Sequence, residues 1–261
     1  MTDKHRQSEV TLRQSDNLMT SSSQAPPTSM RLTRRVTVGG ACYSVSHYGG
    51  SQIYVGDGSE VCLVKNEGES SRVLSVDGYV LCVSVFNNLI YTLIHKSNIW
   101  TVRVYDSDYL LSRSWRHYER CTAVNQMAVR KDCLLVPHRG SKTIIQYSLT
   151  GEAERRIPCP ILKNAATWMF VMPSRCDAVT VSCDGIVSCI DVSTGNCVWS
   201  TDSLEEPTAA CCDNADRVFV DVGGRSDRMK IAILDGDTGK SVFPSQTHPY
   251  FSYCSTFVSF N

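Results

Sequence analysis

One recurring dipeptide constrains this chain more than any other feature. Thr150-Gly151, Thr194-Gly195 and Thr238-Gly239 each follow an apolar, strand-like run, and successive glycines stand 44 residues apart. A period in the forties that ends each time in the same turn marks a chain assembled from similar small units packed side by side. The turn has a physical reason to recur. Asp, Ser and Thr side chains bond backbone N–H groups two residues on, and Gly supplies the positive φ that lets the chain reverse.

The runs between the turns define the unit. From about Val36 short β-branched segments alternate with Gly, Asn, Asp and Ser, the pattern of strands and tight turns. Segments beginning at Ile53, Ile90, Leu134, Ala178 and Val218 are spaced by 37, 44, 44 and 40 residues. Each is followed by another, at Val61, Val102, Ile144, Val187 and Ile231, and preceded by a short run such as Val80-Leu81-Cys82-Val83 or Ala209-Ala210-Cys211-Cys212. A fourth run follows the turn and is clearest in Asn196-Cys197-Val198-Trp199. Four strands in a unit of about 42 residues is one WD-like blade of a propeller. The expected class is therefore all-β: a β-propeller of four-stranded antiparallel blades, five recognisable plus a partial sixth. Between Glu119 and Lys131, Ala123, Val124, Met127 and Ala128 also suit a helix face, but the repeat register makes Met127-Ala128-Val129 an innermost strand.

Residues 1–30 are polar and without apolar periodicity, and are expected to be a disordered tail or a linker to an upstream domain; the propeller is expected over residues 31–261. Five units run to about Gln246. Tyr250-Phe251-Ser252-Tyr253-Cys254 and Phe257-Val258-Ser259-Phe260 look like the first two strands of a sixth. Arg35-Val36-Thr37-Val38 could supply an outer strand to that last blade, which leaves one strand still wanting.

Net charge is +0, so no global field attracts nucleic acid or an anionic membrane. No apolar run is long enough to span a bilayer, and the N-terminus lacks a signal-peptide core, so a cytoplasmic protein is expected. The 13 cysteines include no CxxC pair and read as small buried hydrophobes.

Asp191-Val192-Ser193-Thr194-Gly195-Asn196-Cys197-Val198-Trp199 resembles the D-x-x-T-G-x-x-x-W phrase of PQQ-like repeats. Leu234-Asp235-Gly236-Asp237-Thr238-Gly239 repeats it with Phe243 in the tryptophan position, and Tyr147-Ser148-Leu149-Thr150-Gly151 is a weaker copy without the Asp. The run from Leu134 to Lys142, with Ile145-Gln146-Tyr147-Ser148, is similar to NHL-type propellers of animal tripartite-motif-like proteins. The resemblance covers roughly residues 36–261 and implies a propeller that serves as an interaction module beside other domains. It also raises a quinoprotein-like oxidoreductase, since the adjacent Cys211-Cys212 resembles the vicinal disulfide that some of those enzymes hold against their cofactor. Those enzymes have more blades than this chain can make, are exported and need a calcium site. The plainer reading is two neighbouring strand residues, one facing the channel and one the next blade.

No nucleophile elbow or phosphate-binding loop is present. The six histidines are far apart, and Cys183, Cys189 and Cys197 lie on neighbouring strands where core packing outweighs metal binding. Asp235-Gly236-Asp237 lacks the remaining ligands of a calcium loop. No catalytic residue, cofactor or metal is expected. The candidate surface is basic: Arg116, Tyr118 and Arg120 after the second blade, with Arg139, Lys142, Arg225 and Arg228 in equivalent loops after second strands. Arg and aromatic residues are enriched at interface hot spots. The same mix, with Trp115, would suit single-stranded RNA; alternatively Trp115 is buried in a fourth strand, matching Trp199. The expected function is a non-catalytic protein-interaction scaffold, the recognition module of a larger protein, with RNA binding as the alternative.

Overall fold

The computed structural model describes residues 8–12, 34–38, 42–47, 52–65, 69–117, 127–138, 142–160, 166–175, 177–182, 185–222 and 229–248. Every regular element among them is a strand. Two strands, β1 (Ser8–Leu12) and β2 (Arg34–Val38), pair antiparallel in a sheet of their own. Five four-stranded antiparallel sheets follow in chain order. Blade A is β3 (Cys42–His47), β4 (Ile53–Asp57), β5 (Glu60–Val64) and β6 (Ser70–Ser75). Blade B is β7 (Tyr79–Phe86), β8 (Leu89–Lys96), β9 (Ile99–Tyr105) and β10 (Leu111–His117). Blade C is β11 (Ala128–Val129), β12 (Cys133–His138), β13 (Thr143–Ser148) and β14 (Ala153–Pro158). Blade D is β15 (Ala166–Val171), β16 (Ala178–Ser182), β17 (Val187–Ile190) and β18 (Cys197–Thr201). Blade E is β19 (Ala209–Cys212), β20 (Val218–Val222), β21 (Met229–Leu234) and β22 (Ser241–His248).

The five repeating units are thus the five blades, strand for strand. The repeat register also decides the ambiguous segment, since Ala128–Val129 is a strand paired with Leu134 and Leu135. One expectation changes. Ser8–Leu12, inside the polar N-terminal segment, is a strand, and it is the partner that Arg34–Val38 takes. Blade E is complete from its own residues, as the five recognisable units require. The segments Tyr250–Cys254 and Phe257–Phe260 lie outside the described residues.

A strand between two blades must be apolar on both faces, which explains why second strands read as continuous apolar runs. In β8, Ile90 and Ile94 pack toward blade A, while Tyr91 and Leu93 pack toward blade C. Alternate residues point to opposite faces, so one strand feeds two cores. Among the described residues the core divides into four clusters, at the A–B, B–C, C–D and D–E seams. The tight turns use left-handed residues: Asn87-Asn88 and Ser97-Asn98 have φ between 47° and 62°, the two-residue hairpin geometry.

The Thr-Gly turn does more than reverse the chain. Gly195 and Gly239 have φ of 80° and 66°, and their N–H groups bond back to the carbonyls of Asp191 and Asp235. The Asp191 carboxylate accepts from Ser193 N at 2.7 Å and Thr194 Oγ1 at 2.7 Å, and Asp235 accepts from Thr238 N at 2.9 Å. In blade C, Ser148 takes the place of the Asp and its hydroxyl accepts from Glu152 N at 3.0 Å. Each turn also abuts the preceding blade. A Cβ on Gly151 would lie 2.6 Å from the Trp115 ring, one on Gly195 2.5 Å from Pro158 O, and one on Gly239 inside the Trp199 ring's contact distance. Blade B breaks the rule: Tyr109, at φ 63°, holds the left-handed position and reaches back so that its hydroxyl lies 3.5 Å from that of Tyr54.

Candidate interaction surface

Two places in the propeller could receive a ligand, the axial cavity and the end of blade B. The cavity has a volume of about 240 Å³ and is lined by all five innermost strands. Three of its polar side chains hold those strands together. Ser44 Oγ accepts from Val83 N at 3.0 Å, Ser46 Oγ from Val85 N at 3.1 Å, and Cys82 Sγ from Met127 N at 3.1 Å. Innermost strands of neighbouring blades are not paired to one another, so these side chains satisfy edge N–H groups that would otherwise be orphaned. Among the described residues no Asp, Glu, Lys, Arg or His lines the cavity. Burial pushes the Cys82 thiol up to about 11, so it is neutral at physiological pH.

The end of blade B is different. Tyr79 pairs with His95, His95 with Trp100, and Trp100 with His117, one residue from each of the four strands. Directly opposed residues share a face of the sheet, so these four form a row across it. The His95 and Trp100 rings stack at 4.6 Å and 26°. His117 Nδ1 is 2.6 Å from the hydroxyl of Tyr147 on blade C. The row runs from solvent to core: Tyr79 is 61% exposed and His117 2%. Trp100 is buried, yet its Nε1 has no hydrogen-bond partner, and neither has His95 Nε2. A buried donor left unpaired costs about 1–3 kcal/mol, so native sites rarely retain one without use. Ile99, exposed beside Trp100, and an ion pair between Lys96 and Asp77 flank the exposed end.

The residues proposed from sequence fare unevenly. Arg116 lies exposed on β10, opposite Thr101. Lys142 is exposed before β13, with φ 50°, and its carbonyl accepts from Cys159 N at 2.7 Å. Tyr118, Arg120, Arg139, Arg225 and Arg228 lie outside the described residues. Trp115 is half-buried on the fourth strand and packs on Gly151, as Trp199 packs on Gly239. The Tyr79 row could not be read from the sequence, because its members are 16, 5 and 17 residues apart and meet only once strand register is known.

Cys211 is half-buried, and Cys212 is buried with its thiol raised chiefly by desolvation. Cys189 is buried, with its thiol pushed up to about 12 chiefly by burial, while Cys197 is exposed, and Cys183 lies outside the described residues. Among the described residues no group of three His, Cys, Asp or Glu side chains is placed to hold a metal. Asp235 is bonded within its own turn, and Asp237 pairs with Arg175.

Neither a protein-family model nor a curated protein matches this chain. Solved structures do. A Bacteroides caccae protein of unknown function superposes with TM-score 0.59 at 11% identity, over 81% of this chain and 85% of that one. The WD40 β-propeller domain of Doa1 gives TM-score 0.61 at 14% identity, over 84% and 75%. The Neurospora crassa Pan2 WD40 domain gives 0.52 at 14% identity, over 72% and 63%. Likeness at such identity carries the fold and nothing finer, and the fold is a β-propeller.

Proposed function

We propose that this propeller is a non-catalytic protein-interaction module, and that the Tyr79–His95–Trp100 row is the contact. One observation carries the reading: two buried ring nitrogens without partners stand in one cross-strand row with an exposed tyrosine. The chemistry suits a partner segment that lays an apolar side chain on Tyr79, with Ile99 at the edge of the neighbouring hairpin. The axial cavity supports binding less well, because Ser44, Ser46 and Cys82 already serve the strands. The PQQ-like phrase is read as a turn, since its Asp, Thr and Gly are consumed by the hairpin and the neighbouring blade.

The test is affinity capture compared between the wild-type chain and Tyr79→Asp/Ile99→Asp. Both positions are exposed, so the variant should melt within about 0.5 kcal/mol of wild type while losing retained proteins. An identical retained set from both baits overturns the assignment.

A second reading has its own observation. Arg113, Arg116, Arg155 and Arg156 are exposed on β10 and β14, against Glu154 as the one carboxylate of those strands. Such a rim would suit RNA backbone. Binding that does not weaken as salt rises, or no binding at all, would sink it.

A further inference from the structure

The seams of the propeller differ in what they leave unbonded. Among the described residues, every buried side-chain polar atom without a hydrogen-bond partner lies on blade B or blade C. Four belong to the face that blade B turns to blade C: Tyr91 Oη, His95 Nε2, Trp100 Nε1 and Trp115 Nε1. Strand register spreads them over three rows of that face, with Tyr91 opposite Val104, Trp115 opposite Val102, and His95 opposite Trp100. Rows two residues apart share a face, so the unbonded atoms run along the seam rather than gather at one end. The A–B and D–E seams hold none among the described residues.

The attachment of blade C to blade B at the axis is also slight. Its innermost strand, β11, has two residues, against eight in β7 and six in β15. The bond that ties it to blade B runs from Met127 N to Cys82 Sγ, and sulfur is a weak acceptor. At the A–B seam two serine hydroxyls take the Val83 and Val85 N–H groups at 3.0 and 3.1 Å.

Both observations bear on one motion. Closing the B–C seam takes four polar atoms out of water and gives them no partner, so closure is penalised there. Opening returns them to water, against the apolar packing of Leu93 and Val102 on Leu134 and Val136. At the D–E seam closure makes bonds instead, from Trp199 Nε1 to Gly236 O at 2.7 Å and from Arg175 to Asp237. We propose that blades B and C part along their seam while each blade keeps its own sheet, and that this opening brings Trp100 Nε1, buried in the closed ring, out to solvent. The opening is a property of the chain alone. Its use by a partner, whose acceptor could then reach Trp100 Nε1, rests on the contact proposed above.

The test is hydrogen exchange followed by NMR on the full chain without a partner, so its outcome is separate from that of affinity capture. In the wild type the Trp100 indole N–H and the Met127 amide should exchange faster than the strand amides of β8 and β12, with a weaker dependence on urea than global unfolding shows. The Val83 and Val85 amides of the A–B seam should not share that route. Tyr91→Phe removes an unpaired hydroxyl and keeps the ring, so it should favour the closed seam. Exchange at the Trp100 indole should slow by about fivefold or more, while exchange at the Trp199 indole, which is equally buried at 8% exposure, stays as it was. Wild-type exchange at Trp100 and Met127 that follows global unfolding overturns the proposal, and that measurement decides even if Tyr91→Phe fails to fold. A Trp100 rate that is unchanged or faster in Tyr91→Phe overturns it too, as does an equal slowing at Trp199.

Discussion

The B–C and D–E seams use the same device and differ in how completely it is satisfied. At each, a tryptophan on a fourth strand lies over the glycine of the next blade's Thr-Gly turn: Trp115 on Gly151, and Trp199 on Gly239. Trp199 is buried, and its Nε1 donates to Gly236 O at 2.7 Å. The same seam carries Arg175, bonded to Asp177 at 3.0 Å and paired with Asp237, and Ser174 bonded to Asp216. Trp115 is half-buried, and its Nε1 has no partner; Arg113 instead reaches Leu149 O at 2.9 Å. Tyr91, Trp100 and His95 add further unpaired polar atoms at the B–C seam. A repeat therefore conserves shape from blade to blade without conserving satisfaction. The D–E seam spends its polar groups on itself, and the B–C seam keeps some unspent.

That contrast can be broken by substitution. The largest effect is expected from truncation: Trp199→Ala should destabilise by about 3–5 kcal/mol and Trp115→Ala by about 2 kcal/mol, read by urea melts. Equal losses would mean that the two seams are energetically alike. A finer cut isolates the indole N–H. Trp199→Phe leaves the Gly236 carbonyl without its donor, whereas Trp115→Phe removes a donor that has no partner. The first should cost about 1–2 kcal/mol more than the second, and a reversed order would refute the assignment of satisfied and unsatisfied seams.

The smallest effect concerns the turn of blade D. Hydrogen bonds from Ser193, then Thr194, hold the Asp191 carboxyl down to about 2. Its folded value lies below the unfolded one, so its contribution is complete above about pH 4 and is lost as pH falls toward 2. The group is close to solvent, which keeps the effect small. Asp191→Asn should flatten stability over that window alone, and an unchanged acid profile would remove the carboxylate from the account.

Much of the fold was legible in the sequence because a propeller repeats its own solution. The apolar runs at Ile53, Ile90, Leu134, Ala178 and Val218 each had to be strands buried on both faces, and each is. Blade B's third-to-fourth turn was hidden, because Tyr109 occupies the left-handed position that glycine marks elsewhere. The strand Ser8–Leu12 was hidden for another reason. It is polar enough to read as a tail, and only its pairing with Arg34–Val38 gives it a place. The candidate surface was mostly illegible. Arg116 and Lys142 were found as exposed cations, but the Tyr79–His95–Trp100–His117 row is a product of register between strands and leaves no mark along the chain.

By itself, the sequence determined the blade: its four strands, its period, and the Asp or Ser and Gly that close its outer hairpin. These are local, set by periodicity and backbone chemistry within about 40 residues. Tertiary structure alone decided which residues of different strands stand opposite one another, which glycine lies under which tryptophan, and which buried donors are left without acceptors. Those depend on register and on the packing of one blade against the next, and contacts between residues so far apart along the chain are fixed only when the sheets come together.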